Sequence, residues 1–437
     1  MLKKVSIENF KSIDKITINL KQYNLLCGEN ASGKTSFIHA ILATFQSNED
    51  SKSFDGRMIK IGGLAELKNR QLSGDVTISI EDDRGNSRKV ILKRNEDIIQ
   101  DSKDLLVIEA NEQRLELGFE KDLFYLSSVR NGVMEIYSKG DCSFGVDGSS
   151  SIGYLFEHQD DAMNASYMKA FKEKYSESVC ADNPKFSEHV RFWLNKITGE
   201  EVNIDSVPYT NQYVLTFGHD KNIRPINTGS GYSFILPIII TCLGAIKISN
   251  NPTIIIENPE IYLHPIAQIN LVDFLEFISQ YAQFIIETHS EYILKRSMEI
   301  VDGNDMRQIL VFRQDKGMTR NDILDNTNFK ISPIAYPEVL YRAFNICSIE
   351  LHIILFSKLQ EKSGATNLVT FDKWILENYP HVPQKSREYN GKSTNTLPIY
   401  IRNTVHHPDG KDSTTGKPYI YTQEELIQSV KFMLDVL

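Results

Sequence analysis

Apolar and polar positions alternate over residues 3–10 and 15–20, which predicts two half-buried strands at the start of the chain. Residues 21–27 form an apolar-rich run with the character of a buried strand, and residues 36–45 space their apolar side chains at helical intervals. Two alternating stretches, 75–81 and 88–94, flank the turn-rich sequence Asp82-Asp83-Arg84-Gly85-Asn86-Ser87 and predict a hairpin. Residues 122–130 read as a buried strand running into a loop. Helical spacing takes over from about residue 160 to 197, and strands return at 202–204 and 213–217. An apolar helix is predicted over 234–248, a strand ending in acid over 252–257, a helix from about 265 to 280, and a strand over 283–288. A further helix and strand run to residue 313. Strands that alternate with helices imply an α/β fold with a mixed, mostly parallel sheet covered on both faces.

The character changes after about residue 330, where Ser332-Pro333 to Tyr336-Pro337 reads as a linker. A long helix from 338 to about 359, a short one over 371–377 and a last amphipathic helix over 423–437, capped by Thr422, follow it. The expected organisation is an α/β domain over 1–330, with a helical insertion at about 140–200, and an all-α C-terminal domain over 331–437.

Gly28-Glu29-Asn30-Ala31-Ser32-Gly33-Lys34-Thr35 sits between the predicted strand and helix at 21–27 and 36–45, and matches G-x-x-x-x-G-K-[ST] at every fixed position. Gly28 and Gly33 let the backbone bend around phosphate oxygens, and the helix beginning near Lys34 adds its positive end. Asn30, Ala31, Ser32, Gly33, Lys34, Thr35 and Ser36 are therefore the candidate nucleotide-binding residues. Lys34 supplies a cation for the β- and γ-phosphates, and the Thr35 hydroxyl can hold Mg²⁺. ATP with Mg²⁺ is the expected cofactor. Such a loop needs an acid at the end of a nearby strand. Ile254-Ile255-Ile256-Glu257 supplies one, so Glu257 is the expected metal-side carboxylate. The next residue, Asn258, is an amide and cannot take up a proton. Either Glu260 or His264 polarises the attacking water, or hydrolysis is slow and ATP acts mainly as a clamp.

Composition narrows the setting. The chain has 437 residues, 41% of them hydrophobic and 24% charged, which suits an ordinary folded protein of two or three domains. The first residues lack the apolar core of a signal peptide, and the run from 234 to 248, interrupted by Pro237, is short for a membrane span. The five cysteines are scattered without a C-x-x-C pair, so reduced thiols in the cytoplasm are expected, with no zinc site and no membrane. A net charge of −9 opposes a surface that is basic throughout but leaves a local groove for DNA or RNA open.

Ile256-Glu257-Asn258-Pro259-Glu260-Ile261-Tyr262-Leu263-His264-Pro265 and Glu287-Thr288-His289-Ser290 resemble the acidic-strand and switch-histidine segments of ABC-type ATPases of the SMC, RecF and OLD-nuclease branch. Ile7-Glu8-Asn9-Phe10-Lys11-Ser12-Ile13 and Leu126-Ser127-Ser128-Val129-Arg130 are also similar to theirs. The resemblance implies an ABC-type P-loop fold in which His289 senses the γ-phosphate. It also implies that Ser230 and Gly231, in the degenerate signature Gly229-Ser230-Gly231, reach the nucleotide of a second copy, so that ATP is sandwiched in a dimer or higher oligomer. In the C-terminal part, Arg402-Asn403-Thr404-Val405-His406-His407 resembles the R-N-x-x-x-H motif of HEPN domains. There Arg402 would stabilise phosphate charge and His407 would transfer a proton. The whole also resembles ATPase subunits of the Septu, retron-associated and PARIS antiphage systems, which implies a sensor and scaffold for a partner nuclease of HNH or Toprim type. An RNase effector using its own Arg402 and His407, and a DNA repair ATPase of RecF or SMC type, are the alternatives.

Overall fold

The computed structural model describes the chain apart from residues 48–52, 70–73, 95–103, 111–121, 131–135, 139–143, 179, 207–211, 219–222, 225–226, 228–229, 302, 325–334, 390–391 and 413. The described chain divides into two compact units, Met1–Pro333 and Ile334–Leu437.

The first unit opens with β1 (Leu2–Phe10), β2 (Ile13–Asn19), β3 (Tyr23–Gly28), α1 (Lys34–Gln46) and the short α2 (Leu64–Leu67). Strands β4 (Val76–Asp82), β5 (Ser87–Arg94), β6 (Asp104–Ala110), β7 (Leu123–Leu126) and β8 (Ile136–Ser138) follow. Next come α3 (Ser151–His158), α4 (Ala165–Lys174), α5 (Phe186–Thr198), β9 (Val202–Ser206) and β10 (Gln212–Phe217). The unit ends with α6 (Ser230–Ile248), β11 (Thr253–Glu257), α7 (Pro265–Ile278), β12 (Gln283–Thr288), α8 (Glu291–Val301), β13 (Arg307–Asp315) and β14 (Met318–Leu324).

The central sheet has the order β14-β13-β3-β12-β11-β7, parallel except for β14 at one edge. Its inner strands are buried on both faces, so they read as continuous apolar runs. Leu26, Ile255, Ile285, Leu310 and Phe312 point into a core shared with α1 and with an antiparallel sheet of order β2-β1-β4-β5-β6. The alternate residues Leu25, Ile254, Ile256 and Ile286 are buried on the other face. There α8 packs on β13 and β3. The expected hairpin is β4–β5, and its turn is closed by Asp82, whose carboxylate accepts from the Arg84 and Asn86 N–H groups at 2.9 and 2.8 Å. Helices α4 and α5 share an aromatic core with α7, where Trp193 packs on Phe274 and Phe277 and its Nε1 donates to Tyr167 Oη at 3.0 Å. Helix α6 includes Pro237 and is buried along Ile235 to Leu243. No single helix among the described residues is long and apolar enough to cross a membrane.

The second unit contains α9 (Tyr336–Phe344), α10 (Ile349–Ser363), α11 (Leu368–Asn378), the hairpin β15 (Gln384–Tyr389) with β16 (Lys392–Thr396), α12 (Leu397–His406) and α13 (Gln423–Val436). Two details differ from the sequence reading. The long helix expected over 338–359 is two helices, because Asn345 ends α9 at φ 55 and Ser348 caps α10 by accepting from Leu351 N–H at 3.1 Å. The region is helical but not all-α. The hairpin strands are mostly polar and show no apolar alternation. They are anchored to α11 by buried Asp372, which accepts from the Asn395 and Thr396 N–H groups at 2.9 and 3.0 Å. Thr422 caps α13 in a capping box with Glu425.

Helices α10 and α13 are joined inside this unit by His352, whose Nε2 lies 3.0 Å from Ser429 Oγ. Burial pushes its pKa from 6.5 down to about 4. The unfolded chain therefore takes up this proton first, and stability is lost as pH falls from 6.5 towards 4, by about 3 kcal/mol in all. His352→Gln should flatten that acid slope, which urea midpoints at pH 7 and pH 5 will measure. An unchanged slope would assign the acid sensitivity elsewhere.

Candidate functional site

Strand β3 ends at Gly28, and the phosphate loop turns from it into α1. The turn needs both glycines. Gly28 has φ 148 and a Cβ there would strike the Phe312 carbonyl, while Gly33 has φ 106 and a Cβ there would strike Thr319 of β14. Thr319 is itself fixed, with Oγ1 2.7 Å from Ser12 Oγ and its N–H on Ser12 O at 2.8 Å. At the loop tip, Ala31 adopts φ 60 and its carbonyl accepts from Gln314 Nε2 at 2.6 Å. The loop borders a cleft of about 440 Å³, lined on one side by Asn30 to Ser36 and on the other by Asn258, Glu287 and His289.

Lys34 is buried. Its Nζ donates to the carbonyls of Gly28 and Glu29 at 3.0 and 2.9 Å and to Ser32 Oγ at 3.4 Å. Burial lowers its pKa, and the nearby Glu287 charge works in the opposite direction. Thr35 Oγ1 donates to Glu287 Oε1 at 2.7 Å. Burial, together with the Glu257 charge, raises the Glu287 pKa to about 7 despite that hydrogen bond.

The carboxylate on the Thr35 hydroxyl is that of Glu287, whereas Glu257, expected on the metal side, is held elsewhere. The reason is topological: β12 lies between β3 and β11, so its last carboxylate is nearer the loop. Glu257 Oε1 accepts from Tyr125 Oη at 2.9 Å and lies 3.7 Å from His39 Nε2, and Oε2 accepts from Ser128 N–H at 3.1 Å. It does not line the cleft. Arg130, also buried, donates to the carbonyls of Glu257 and Asn258 at 2.7 Å each and holds this strand end. Asn258 sits at φ 43, a region asparagine tolerates better than most residues, and its side-chain oxygen Oδ1 is buried without a partner.

Glu260 lies behind the cleft, where Oε1 accepts from His289 N–H at 2.7 Å, and burial raises its pKa. His289 lines the cleft. Burial and the Lys34 charge push its pKa down to about 4, against a hydrogen bond with the Gly28 backbone. His264 is not in the site: its Nδ1 caps α7 by accepting from Ile266 N–H at 3.3 Å. Ser230 and Gly231 open α6, Gly231 is not among the residues lining this cleft, and Gly229 lies outside the described residues. Arg402 and His407 belong to the other unit. Arg402 is half-buried in α12 and donates to Asn403 Oδ1 at 3.1 Å, whereas His407 is the exposed residue ending that helix.

Sequence reasoning assigned no role to Lys11, Ser12, Gln314, Tyr125, Arg130 or Glu287. The last carried a visible signal. Phe284-Ile285-Ile286-Glu287 repeats the apolar run ending in acid that singled out Glu257.

The arrangement fits MgATP. A helix N-terminus and a lysine meet phosphate oxygens, and a threonine hydroxyl beside a carboxylate with an unpartnered buried oxygen, Glu287 Oε2, suits a hard divalent cation. Solved structures that align with the chain include the SMC head domain from Thermotoga maritima, at 14% identity over 74% of this chain and 99% of that one, with a TM-score of 0.39. Another is the Smc head domain with an extended coiled coil bound to the C-terminal domain of ScpA from Pyrococcus furiosus, at 12% identity, 75% and 96% coverage and a TM-score of 0.47. No curated protein matches the sequence. The family described as AAA ATPase domain matches residues 1–133 and 157–294, more than half of the sequence, and the chain belongs to that family.

Proposed function

We propose that the chain is an ABC-type ATPase that binds MgATP in the Lys34 cleft, turns it over slowly, and uses the bound nucleotide to clamp copies of itself together. The observation that carries this reading is Asn258. It lines the cleft where a proton-accepting carboxylate would be expected, beside a phosphate loop that is complete. Bound Mg²⁺ would neutralise phosphate charge. Lys34 and the start of α1 would hold the β- and γ-phosphates, and His289 would sit at the γ-phosphate end. Gly231 in the first turn of α6 is not among the residues lining its own chain's cleft, which supports its use on a second copy's nucleotide. Tyr262 and Ile266, 64% and 63% exposed just beyond the acidic strand, supply apolar surface for such a contact. By the resemblance to antiphage ATPases, the clamped assembly would govern a partner nuclease.

Lys34→Ala should weaken nucleotide affinity by about two orders of magnitude, the cost of removing one partner of a buried charge contact. Calorimetry with a non-hydrolysable ATP analogue measures this, and unchanged affinity would refute the phosphate-loop reading. Asn258→Asp keeps the shape and the tolerated backbone while adding a proton acceptor. It should raise steady-state phosphate release on the order of a hundredfold. A fast wild-type rate, or no gain in the variant, contradicts the slow clamp.

A further inference from the structure

The strands that carry cleft residues at their carboxyl ends share a second cavity at their amino ends. Gln22 precedes β3, Asn250 and Asn251 precede β11, and Gln280 and Tyr281 precede β12. With Asn164, the cap of α4, these residues border a space of about 340 Å³. The six-residue strands β3 and β12 separate it from the phosphate loop by about 20 Å. Its walls are tied together. Asn164 Nδ2 donates to Ile246 O at 2.9 Å and joins α4 to the end of α6, and Tyr281 Oη donates to Ser166 O at 3.3 Å and joins α4 to the chain after α7.

Five of the lining residues are Asn or Gln, and among the described residues no Lys, Arg, Asp or Glu lines the cavity. A phosphate would meet no cation there, and an ammonium no carboxylate. Helix ends of opposite polarity also meet: α6 and α7 finish beside the cavity and α4 begins beside it, so their dipoles oppose one another. The site therefore suits an uncharged ligand rich in hydrogen-bonding groups. Gln22 Nε2 donates to Ala282 O at 3.4 Å and Gln280 Nε2 to Phe277 O at 3.2 Å, which leaves both Oε1 atoms as acceptors. Asn250 and Asn251 are exposed and make no side-chain hydrogen bond among the described residues. A primary amide sets a donor and an acceptor side by side, the complement of the N6/N7 edge of adenine, and a tyrosine ring can stack on a base.

We infer that this cavity binds an uncharged adenine nucleoside, with the amides of Asn250 and Asn251 on the base edge and the Tyr281 ring beside the base. The two sites are opposite in chemistry. The Lys34 cleft offers a cation and a helix N-terminus to phosphate, and this cavity offers neither a cation nor an anion. The cavity should prefer adenosine to AMP. This inference does not depend on the reading of the Lys34 cleft.

The test irradiates the full chain with 8-azidoadenosine and maps the labelled peptides by mass spectrometry. Label is expected on the peptides holding residues 249–251 or 280–281. Adenosine should suppress it at about tenfold lower concentration than AMP, because the phosphate finds no partner, and glucose should not suppress it. Asn250→Asp and Asn251→Asp replace an amide donor by a charged acceptor at exposed positions, and aspartate tolerates the left-handed backbone of Asn251. Each should keep the wild-type melting temperature while labelling falls about tenfold. Label that is absent or confined to the phosphate loop overturns the assignment. So does equal suppression by AMP or glucose, or full labelling of both variants. None of these outcomes bears on whether the Lys34 cleft binds MgATP.

Discussion

Burying charge beside charge is the constraint that shapes this molecule. Glu257, Glu260 and Glu287 converge with Lys34 and Arg130 at the carboxyl ends of β3, β11 and β12, and all but Glu260 are less than a twentieth exposed. In such surroundings an ion without a partner is far more expensive than in water. The fold answers with fixed donors. Arg130 grips two successive carbonyls at the end of β11, Tyr125 and Ser128 saturate Glu257, and the His289 N–H meets Glu260. Two oxygens of these carboxylates remain buried without a donor, Glu260 Oε2 and Glu287 Oε2, and the second belongs to the carboxylate that accepts from the threonine of the phosphate loop. The ends of β11 and β12 therefore carry the unmet demand for positive charge at the edge of the cleft.

On the proposed clamp reading, that arrangement separates holding a nucleotide from destroying it. The loop, Lys34 and Thr35 are disposed to bind phosphate and cation. The residue best placed to accept a proton from water is an amide, held by a left-handed backbone that Asn258 tolerates. Glu260 gives one oxygen to the His289 backbone and keeps the other without a partner, while His264 is held at the start of α7. Under the proposed function, a site that binds well and cleaves poorly would suit a device whose output is an assembly state. The second unit is built on different principles, with a helical core, a polar hairpin pinned by Asp372 and a buried histidine at its centre.

Much of this was legible in the sequence. The glycine loop, its strand and its helix are local features, and the apolar runs of β11 and β12 announce a sheet buried on both faces. Glu257 was visible for the same reason, as an acid after three isoleucines. Strand order was not legible. Which of two acid-ending strands lies next to the loop is a long-range fact, and it sets Glu287 on the Thr35 hydroxyl. The seat of Gly33 against Thr319 and the grip of Arg130 on β11 likewise join residues far apart in sequence. In the second unit, the break at Asn345 rests on one left-handed residue, and the hairpin lacks apolar alternation because its strands are mostly polar.

The account stands most directly on whether nucleotide sets the assembly. Native mass measurement of the full chain, without nucleotide and with a non-hydrolysable ATP analogue plus Mg²⁺, reads this without relying on turnover. The account predicts a mass that shifts by whole multiples of the chain when MgATP analogue is added, and no shift in Lys34→Ala. A mass that is the same with and without nucleotide, for a protein shown to bind it, would contradict the clamp.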